Sequence, residues 1–208
     1  MPKYAYLIPF LNLIPFFAGF NILFNFKDVK VKLFSAYLIL TAICGLICFY
    51  LAMTNGNNHW CYNIYQIIVF ILLALIFDIE FQKKVFFKIS VLVSIFLIYN
   101  TYATGLFIFN QINFNIIFTC IGTVSGVCIK NIVVNSFEKE FNESDFWMYG
   151  GFFIFSFGNL FLDLFFTIVT HKTNYSILHF YAIYQIVLNV IVNLIFFKVV
   201  LLLKKNEY

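Results

Sequence analysis

Long apolar stretches follow one another along almost the whole chain, and this feature limits the possible folds more than any other. Charged or turn-forming residues separate seven of them, at about residues 4–26, 33–53, 62–77, 85–109, 112–133, 146–169 and 177–203. Most reach the roughly 18 residues that make a stretch a candidate transmembrane helix. Because an α-helix satisfies its own backbone polar groups in hydrocarbon, the sequence predicts an all-α integral membrane protein. We expect about seven transmembrane helices and a single transmembrane domain over residues 1–208.

The composition excludes the water-soluble and disordered classes. Only 11% of the residues are charged and 63% are hydrophobic, whereas a soluble domain carries roughly 25% charged residues. A disordered chain needs still more charge and less hydrophobicity. The net charge is +4, and the basic residues are spread along the chain rather than gathered in a patch. We therefore expect no direct binding of nucleic acid.

The distribution of lysines predicts the orientation in the membrane, because positive residues near the ends of a span stay on the cytoplasmic side. An N-terminus outside and a C-terminus in the cytoplasm leave only Lys3 and Lys172 outside. The lysines then inside are Lys27, Lys30, Lys32, Lys83, Lys84, Lys88, Lys130, Lys139, Lys198, Lys204 and Lys205. This asymmetry favours an odd number of spans.

The boundary between the fourth and fifth spans is the weakest one. Only Asn110 and Gln111 interrupt the apolar sequence there. Two polar residues are compatible with a re-entrant or kinked segment as well as with a loop between two spans. A six-span arrangement therefore stays open beside the seven-span one.

Polar residues inside the spans need a partner or a water-filled cavity. Asp163 is the one acidic residue placed well inside a span, and Asn159 precedes it by one helical turn on the same face. Amides at intervals of four mark one side of the last span, at Gln185, Asn189 and Asn193. Asn63 and Gln66 of the third span are further candidates for this set. The pattern predicts either hydrogen bonds between helices or a polar cavity for a solute, proton or ion.

Small residues mark a contact face on the fifth span. Gly122 and Gly126 are separated by four positions and flank Ser125, a spacing that lets two helix backbones approach closely. The face predicts helix packing within the bundle or, as the alternative, self-association into a homo-oligomer, for which pore formation is a further hypothesis.

The longest polar stretch runs from residue 130 to residue 145 and carries a local group of charges. These are Glu138, Lys139, Glu140, Glu143 and Asp145. The stretch is typical of a solvated connector, and its functional interpretation is a docking loop for a cytoplasmic protein partner.

Motifs of catalysis and of cofactor binding are missing from the sequence. It has no phosphate-binding glycine loop, no nucleophile elbow and no paired metalloprotease histidines. Four of the five cysteines lie inside spans, where a small apolar side chain packs well. Cys61 falls near the same membrane face as His59, His171 and His179, but spacing alone cannot bring them together. We therefore predict no enzymatic activity, no cofactor and no metal site.

Three segments carry a resemblance to a known group of proteins. They are Leu7-Ile8-Pro9-Phe10-Leu11-Asn12-Leu13-Ile14-Pro15-Phe16, then Phe146-Trp147-Met148-Tyr149-Gly150-Gly151, and Phe157-Gly158-Asn159-Leu160-Phe161, followed by the asparagine-bearing last helix. Together they resemble small multi-pass proteins of Bacteroidetes-type bacteria. Among these, the chain is similar in size and span content to the accessory membrane proteins of type VI-B CRISPR systems. The resemblance implies a regulator or membrane arm of antiviral defence in the bacterial inner (cytoplasmic) membrane, with an RNA-guided CRISPR effector as its cytoplasmic partner.

Three function classes therefore compete. The first, which we favour, is a non-enzymatic accessory or effector component of antiviral defence. The second is a small-solute transporter with three spans, a linker span and three more spans. All three prolines, however, precede the second span, whereas such transporters are expected to carry one in the first helix of each triplet. The third is a membrane receptor that signals to a cytoplasmic partner.

Overall fold

The protein is all-helical in the computed structural model, which describes residues 8–54, 56–81, 85–136, 141–169 and 175–205. The helices, in chain order, are α1 (Ile8–Asn25), α2 (Val29–Met53), α3 (His59–Phe81), α4 (Val85–Thr104), α5 (Gln111–Asn135), α6 (Glu143–Val169) and α7 (Tyr175–Lys205). Six of them, α2 to α7, are long and apolar enough to cross a membrane. The predicted all-α class is confirmed, and the architecture is that of a helical membrane protein.

Polar side chains define where two of the helices begin. Asp28 precedes α2, and its carboxylate accepts a hydrogen bond from the backbone N–H of Val31 at 3.0 Å. Asn142 precedes α6 and accepts from the backbone N–H of Asp145 at 3.1 Å, while its own amide donates to the Asp145 carboxylate at 2.9 Å. Such caps satisfy N–H groups that the first helical turn leaves without a partner.

Contacts along the chain group it into two compact units. The first is Tyr6–Ile117, with α1 to α4 and the start of α5, and the second contains the rest of α5 with α6 and α7. That residues 1–208 form a single transmembrane domain stays a prediction.

In the first unit, α1 packs on α2, α2 on α3, and α3 on α4. Its centre includes Phe34, Tyr37, Leu38 and Leu73, each at most 2% exposed. The α1–α2 contact is close: the Ser35 hydroxyl donates to the carbonyl oxygen of Gly19 at 2.6 Å. A Cβ at Gly19 would lie 2.8 Å from Ile39 Cγ1, so glycine is required at this crossing.

In the second unit, α6 packs on α7. Tyr149, Phe152, Leu162 and Val199 of these two helices are at most 1% exposed. The rings of Phe152 and Phe196 meet edge to face with centroids 5.4 Å apart, an arrangement that aromatic pairs prefer.

A turn separates α4 from α5 at the boundary where the sequence also allowed a re-entrant or kinked segment. α4 ends at Thr104, and Gly105 follows with φ +98°, a left-handed conformation that L side chains rarely adopt. α5 begins at Gln111. The apolar residues 105–109 therefore belong to the turn and not to the fourth helix, which is predicted too long at 85–109.

Large apolar side chains are exposed along the helices. Examples are Phe24 at 77%, Leu92 at 69%, Tyr102 at 85%, Phe161 at 56% and Leu194 at 63%. A soluble monomer rarely exposes so much contiguous apolar surface, whereas a bilayer solvates it.

Candidate functional site

The predicted polar set on α6 and α7 forms a hydrogen-bonded ladder in the second unit. Gln185 Nε2 donates to Asn159 Oδ1 at 3.2 Å, which links the two helices. Asn159 Nδ2 donates to the carbonyl oxygen of Phe155 at 2.7 Å. Asn189 Nδ2 donates to the Gln185 carbonyl oxygen at 2.7 Å. The ladder therefore joins side chains across the helix contact and also bonds them to helix backbone.

Asp163 and Asn193 extend this set at its two ends. Asp163 lies on α6, four positions after Asn159, and is half-buried. Asn193 lies on α7, four positions after Asn189, and is also half-buried. His179 lies half-buried on α7, and His171 lies outside the described residues.

Gly122 and Gly126 face α6 of their own chain. A Cβ at Gly122 would lie 2.9 Å from Phe157 Cε2 and 3.3 Å from Ser156 Cβ. At Gly126 the nearest atom would be Phe153 Cε2 at 3.2 Å. The two glycines thus lie against α6 within the second unit, and self-association through the same face stays a prediction.

The predicted docking loop is described only in part. Glu138, Lys139 and Glu140 lie outside the described residues. Asp145 is 9% exposed and bonds to the capping amide of Asn142. Glu143 begins α6 and pairs with Lys198 of α7, with Oε1 and Nζ 3.2 Å apart. Both acids therefore take part in contacts at the start of α6.

Lys198 connects this end of α6 to α7 in two ways. Besides its ion pair with Glu143, its ammonium lies 3.9 Å from the ring centroid of Trp147, within range of a cation–π interaction. Trp147 Nε1 donates to Glu143 Oε1 at 3.3 Å. In the first unit, Lys30 of α2 pairs with Glu80 of α3 at 3.1 Å.

A second amide cluster, which the sequence analysis missed, closes the α4–α5 turn. Asn63 of α3 donates to the carbonyl oxygens of Leu106 and Ile108, each at 2.8 Å. Asn100 donates to Asn110 Oδ1 at 3.0 Å and to Asn113 Oδ1 at 2.8 Å. Asn63, Asn110 and Asn113 are at most 2% exposed. The cluster provides hydrogen-bond donors to two backbone carbonyl oxygens of the turn.

Three cysteines converge in the first unit, a grouping that spacing did not predict. Cys44 Sγ lies 3.8 Å from Cys48 Sγ and 3.5 Å from Cys61 Sγ. All three are at most 7% exposed, and Trp60 and Tyr65 pack against them. The three sulfur atoms lie within 4.8 Å of one another.

Part of this cluster was visible in the sequence. Cys44 and Cys48 are four positions apart, which places them on one helix face. Cys61 joins them because the short connection at residues 54–58 brings the first turn of α3 back beside α2. That contact depends on how two helices pack, which no spacing rule supplies.

Comparison with known proteins identifies no relative. No protein-family model matches the chain, no curated protein is significantly similar to it, and no solved structure matches its fold significantly.

Proposed function

We propose that this chain is a non-enzymatic multi-pass protein of the bacterial cytoplasmic membrane that acts as an accessory component through contact with a cytoplasmic protein. One observation carries the proposal: the amides of α6 and α7 are bonded to each other and to helix backbone. A solute pathway needs polar groups that can replace the solute's hydration. Amides engaged in helix contacts support a packed bundle that acts by binding.

The proposed orientation has seven crossings, an outer N-terminus and a cytoplasmic C-terminus. Its support is the lysine distribution, with eleven of the 13 lysines inside. The ion pairs Lys30–Glu80 and Lys198–Glu143 join helix ends that this orientation assigns to the cytoplasmic side. Such pairs reduce the cost of charged groups near the hydrocarbon.

Reporter fusions test the orientation. Alkaline phosphatase, which is active only outside the cytoplasm, is expected to be active when fused after Asn57 and inactive when fused after Lys139. A green fluorescent protein fused after Lys205 is the matched control and should fluoresce. Activity after Lys139 with none after Asn57 would overturn the orientation.

The cellular role that we propose is in antiviral defence. It rests on the resemblance of the three segments around Pro9, Trp147 and Asn159 to accessory membrane proteins of type VI-B CRISPR systems. The proposed partner is the RNA-guided, RNA-cutting effector, and the proposed contact is the charged stretch from Glu138 to Asp145. The genes beside this one provide the cheapest test, since an effector of that type is expected among them. Neighbours that encode only solute metabolism would contradict the role.

A binding experiment tests the contact itself. The effector is expected to copurify with the wild-type protein in detergent and to be lost when Glu138 and Glu140 are both changed to Gln. Lys204→Gln is the control, since it lies on the same proposed face but outside the stretch. Equal recovery with all three proteins would reject this stretch as the docking site.

Transport of a small solute is the second candidate, and a separate observation favours it. Among the described residues, five buried side-chain oxygens have no hydrogen-bond partner: Gln66 Oε1, Ser94 Oγ, Asn115 Oδ1, Ser125 Oγ and Ser156 Oγ. Buried polar atoms are normally bonded, so these are available to a solute or ion. Proteoliposomes loaded with a fluorescent dye or potassium distinguish the candidates: tight vesicles support the accessory role, and protein-dependent flux supports transport.

A further inference from the structure

The cluster of Cys44, Cys48 and Cys61 has the dimensions of a three-sulfur metal site. With a metal–sulfur bond of about 2.3 Å, three sulfurs arranged trigonally around a metal are about 4 Å apart. The observed separations are 3.5 Å and 3.8 Å, and all three sulfurs lie within 4.8 Å of one another. Apolar packing explains the burial of cysteines, but it does not require their sulfurs to converge.

The donor set selects among metals. It consists of sulfur alone, since among the described residues this group of ligands contains no histidine or carboxylate. Soft sulfur ligands favour Cu(I). Zinc in a structural site takes four ligands, and a fourth is not in the group. A buried site with three sulfurs therefore fits Cu(I) better than zinc.

The surroundings allow a cation to reach the three sulfurs. Cys61 lies in the first turn of α3, and Cys48 lies about 8 Å before the end of α2 at 1.5 Å per residue. Both are thus near the connection at residues 54–58, where Asn57 is exposed. The thiolate is the form of cysteine that binds a metal, so each of the three thiols loses its proton to water as its Cu–S bond forms. The loaded site then carries two net negative charges.

We propose that Cys44, Cys48 and Cys61 form a binding site for one Cu(I) ion between α2 and α3. The site lies outside the polar sets and the charged stretch considered above, so it stands or falls independently of the proposed function.

Titration of the full-length protein with Cu(I) tests the site. The protein is purified in detergent, reduced, desalted without oxygen and titrated with Cu(I) against a chromophoric Cu(I) chelator. We expect one Cu(I) per chain to be withheld from the chelator. Cys44→Ala, Cys48→Ala and Cys61→Ala keep an apolar side chain and should each weaken retention at least about tenfold, since even loss of an outer-shell partner of a metal ligand costs that much. Cys120→Ala is the matched control and should bind as the wild type does.

X-ray absorption of the copper-loaded wild type gives a readout that does not depend on any variant folding. Three sulfur neighbours at about 2.3 Å are expected. Nitrogen or oxygen neighbours, or retention of Cu(I) no better than in the Cys44→Ala variant, would overturn the proposal. It would equally fail if the wild type bound zinc in preference, or if mass spectrometry of the unreduced protein found Cys44 and Cys61 joined as a disulfide.

Discussion

Asn113 holds the end of α4 against the start of α5 through a single amide group. Its Nδ2 donates to the Leu97 carbonyl oxygen at 2.9 Å and to the Thr101 hydroxyl at 2.8 Å, and its Oδ1 accepts from Asn100. Asn113 is 1% exposed. A buried partner that is removed leaves the remaining groups unsatisfied, which costs more than the bond itself contributes.

Asn113→Leu should therefore lower the free energy of unfolding by about 1–3 kcal/mol. The measurement is equilibrium unfolding in mixed micelles with increasing denaturing detergent. Thr119→Ala is the control, because Thr119 is on the same helix and exposed. Equal stability of the two variants would mean that the amide cluster does not stabilise the turn.

Asp163 is the residue at which charge and hydrogen bonding can be separated. Asp163→Asn keeps the shape and removes the ionisable group, whereas Asp163→Leu also removes the hydrogen bonding. Since the residue is half-buried on α6 near the amide ladder, we expect Asn to be tolerated and Leu to lower the melting temperature. Loss of cellular activity in both variants, with folding intact, would instead assign Asp163 a functional role.

The sequence identified which residues are polar inside the spans, but not their partners. Gln185 and Asn159 were both recognised, because an amide in an apolar stretch stands out. Asn63 was paired with the wrong set, since its partners Leu106 and Ile108 are 43 and 45 positions later and contribute only carbonyl oxygens. Backbone groups carry no signal in the sequence, so such bonds emerge only once helices are placed.

Two adjacent glycines in α6 have opposite surroundings. A Cβ at Gly151 would overlap Phe196 Cε1 and lie 3.0 Å from its Cδ1, whereas a Cβ at Gly150 would meet nothing within 4 Å. Phe196 is 3% exposed and packs on Phe152, so its ring has little room to move. Alanine substitutions at these two positions therefore distinguish the effect of helix packing on stability from the effect of helix propensity.

Gly151→Ala should lower the free energy of unfolding by about 1–3 kcal/mol, as overpacking of a core does. Gly150→Ala should be neutral or stabilising by up to about 1 kcal/mol, since alanine favours helix. Thermal unfolding of both variants in the same detergent provides the comparison. Two variants that destabilise equally would indicate that backbone flexibility, and not the α6–α7 contact, is what the glycines supply.

Hydropathy predicted the helices well and their ends less well. The third span was predicted at 62–77, and α3 extends over His59–Phe81. The sixth was predicted from residue 146, and α6 begins at Glu143 after its Asn142 cap. Hydropathy reports contact with hydrocarbon, whereas a helix continues through the interface until a cap or a turn residue such as Gly105 ends it.

Self-association of the protein depends on whether the Gly122 face is open to a second copy. Phe157 and Ser156 of the same chain cover Gly122. Gly122→Leu should therefore lower the melting temperature and leave the mass of the detergent-purified protein unchanged by light scattering. Thr123→Leu is the control, since Thr123 is exposed. If the wild type is an oligomer and Gly122→Leu converts it to a monomer at unchanged stability, Gly122 lies at a contact between copies of the chain.

The structural class of the protein could be predicted from its hydropathy, because six long apolar helices leave few alternatives. Its role could not, since the amides of α6 and α7 are used for helix contacts that many functions share. The cysteine cluster illustrates what spacing cannot predict. The spacing of Cys44 and Cys48 places them on one face of α2, but Cys61 joins them only because α3 packs beside α2.

The bonds of Asn63 also constrain the order in which the chain is assembled during its synthesis. Its partners in the α4–α5 turn leave the ribosome 43 to 47 residues after it does. Until then, the buried amide at the start of α3 must be held by water or by the insertion machinery. A nascent chain that stops before Leu106 would therefore present Asn63 without any of these partners, a state suited to recognition by membrane quality control.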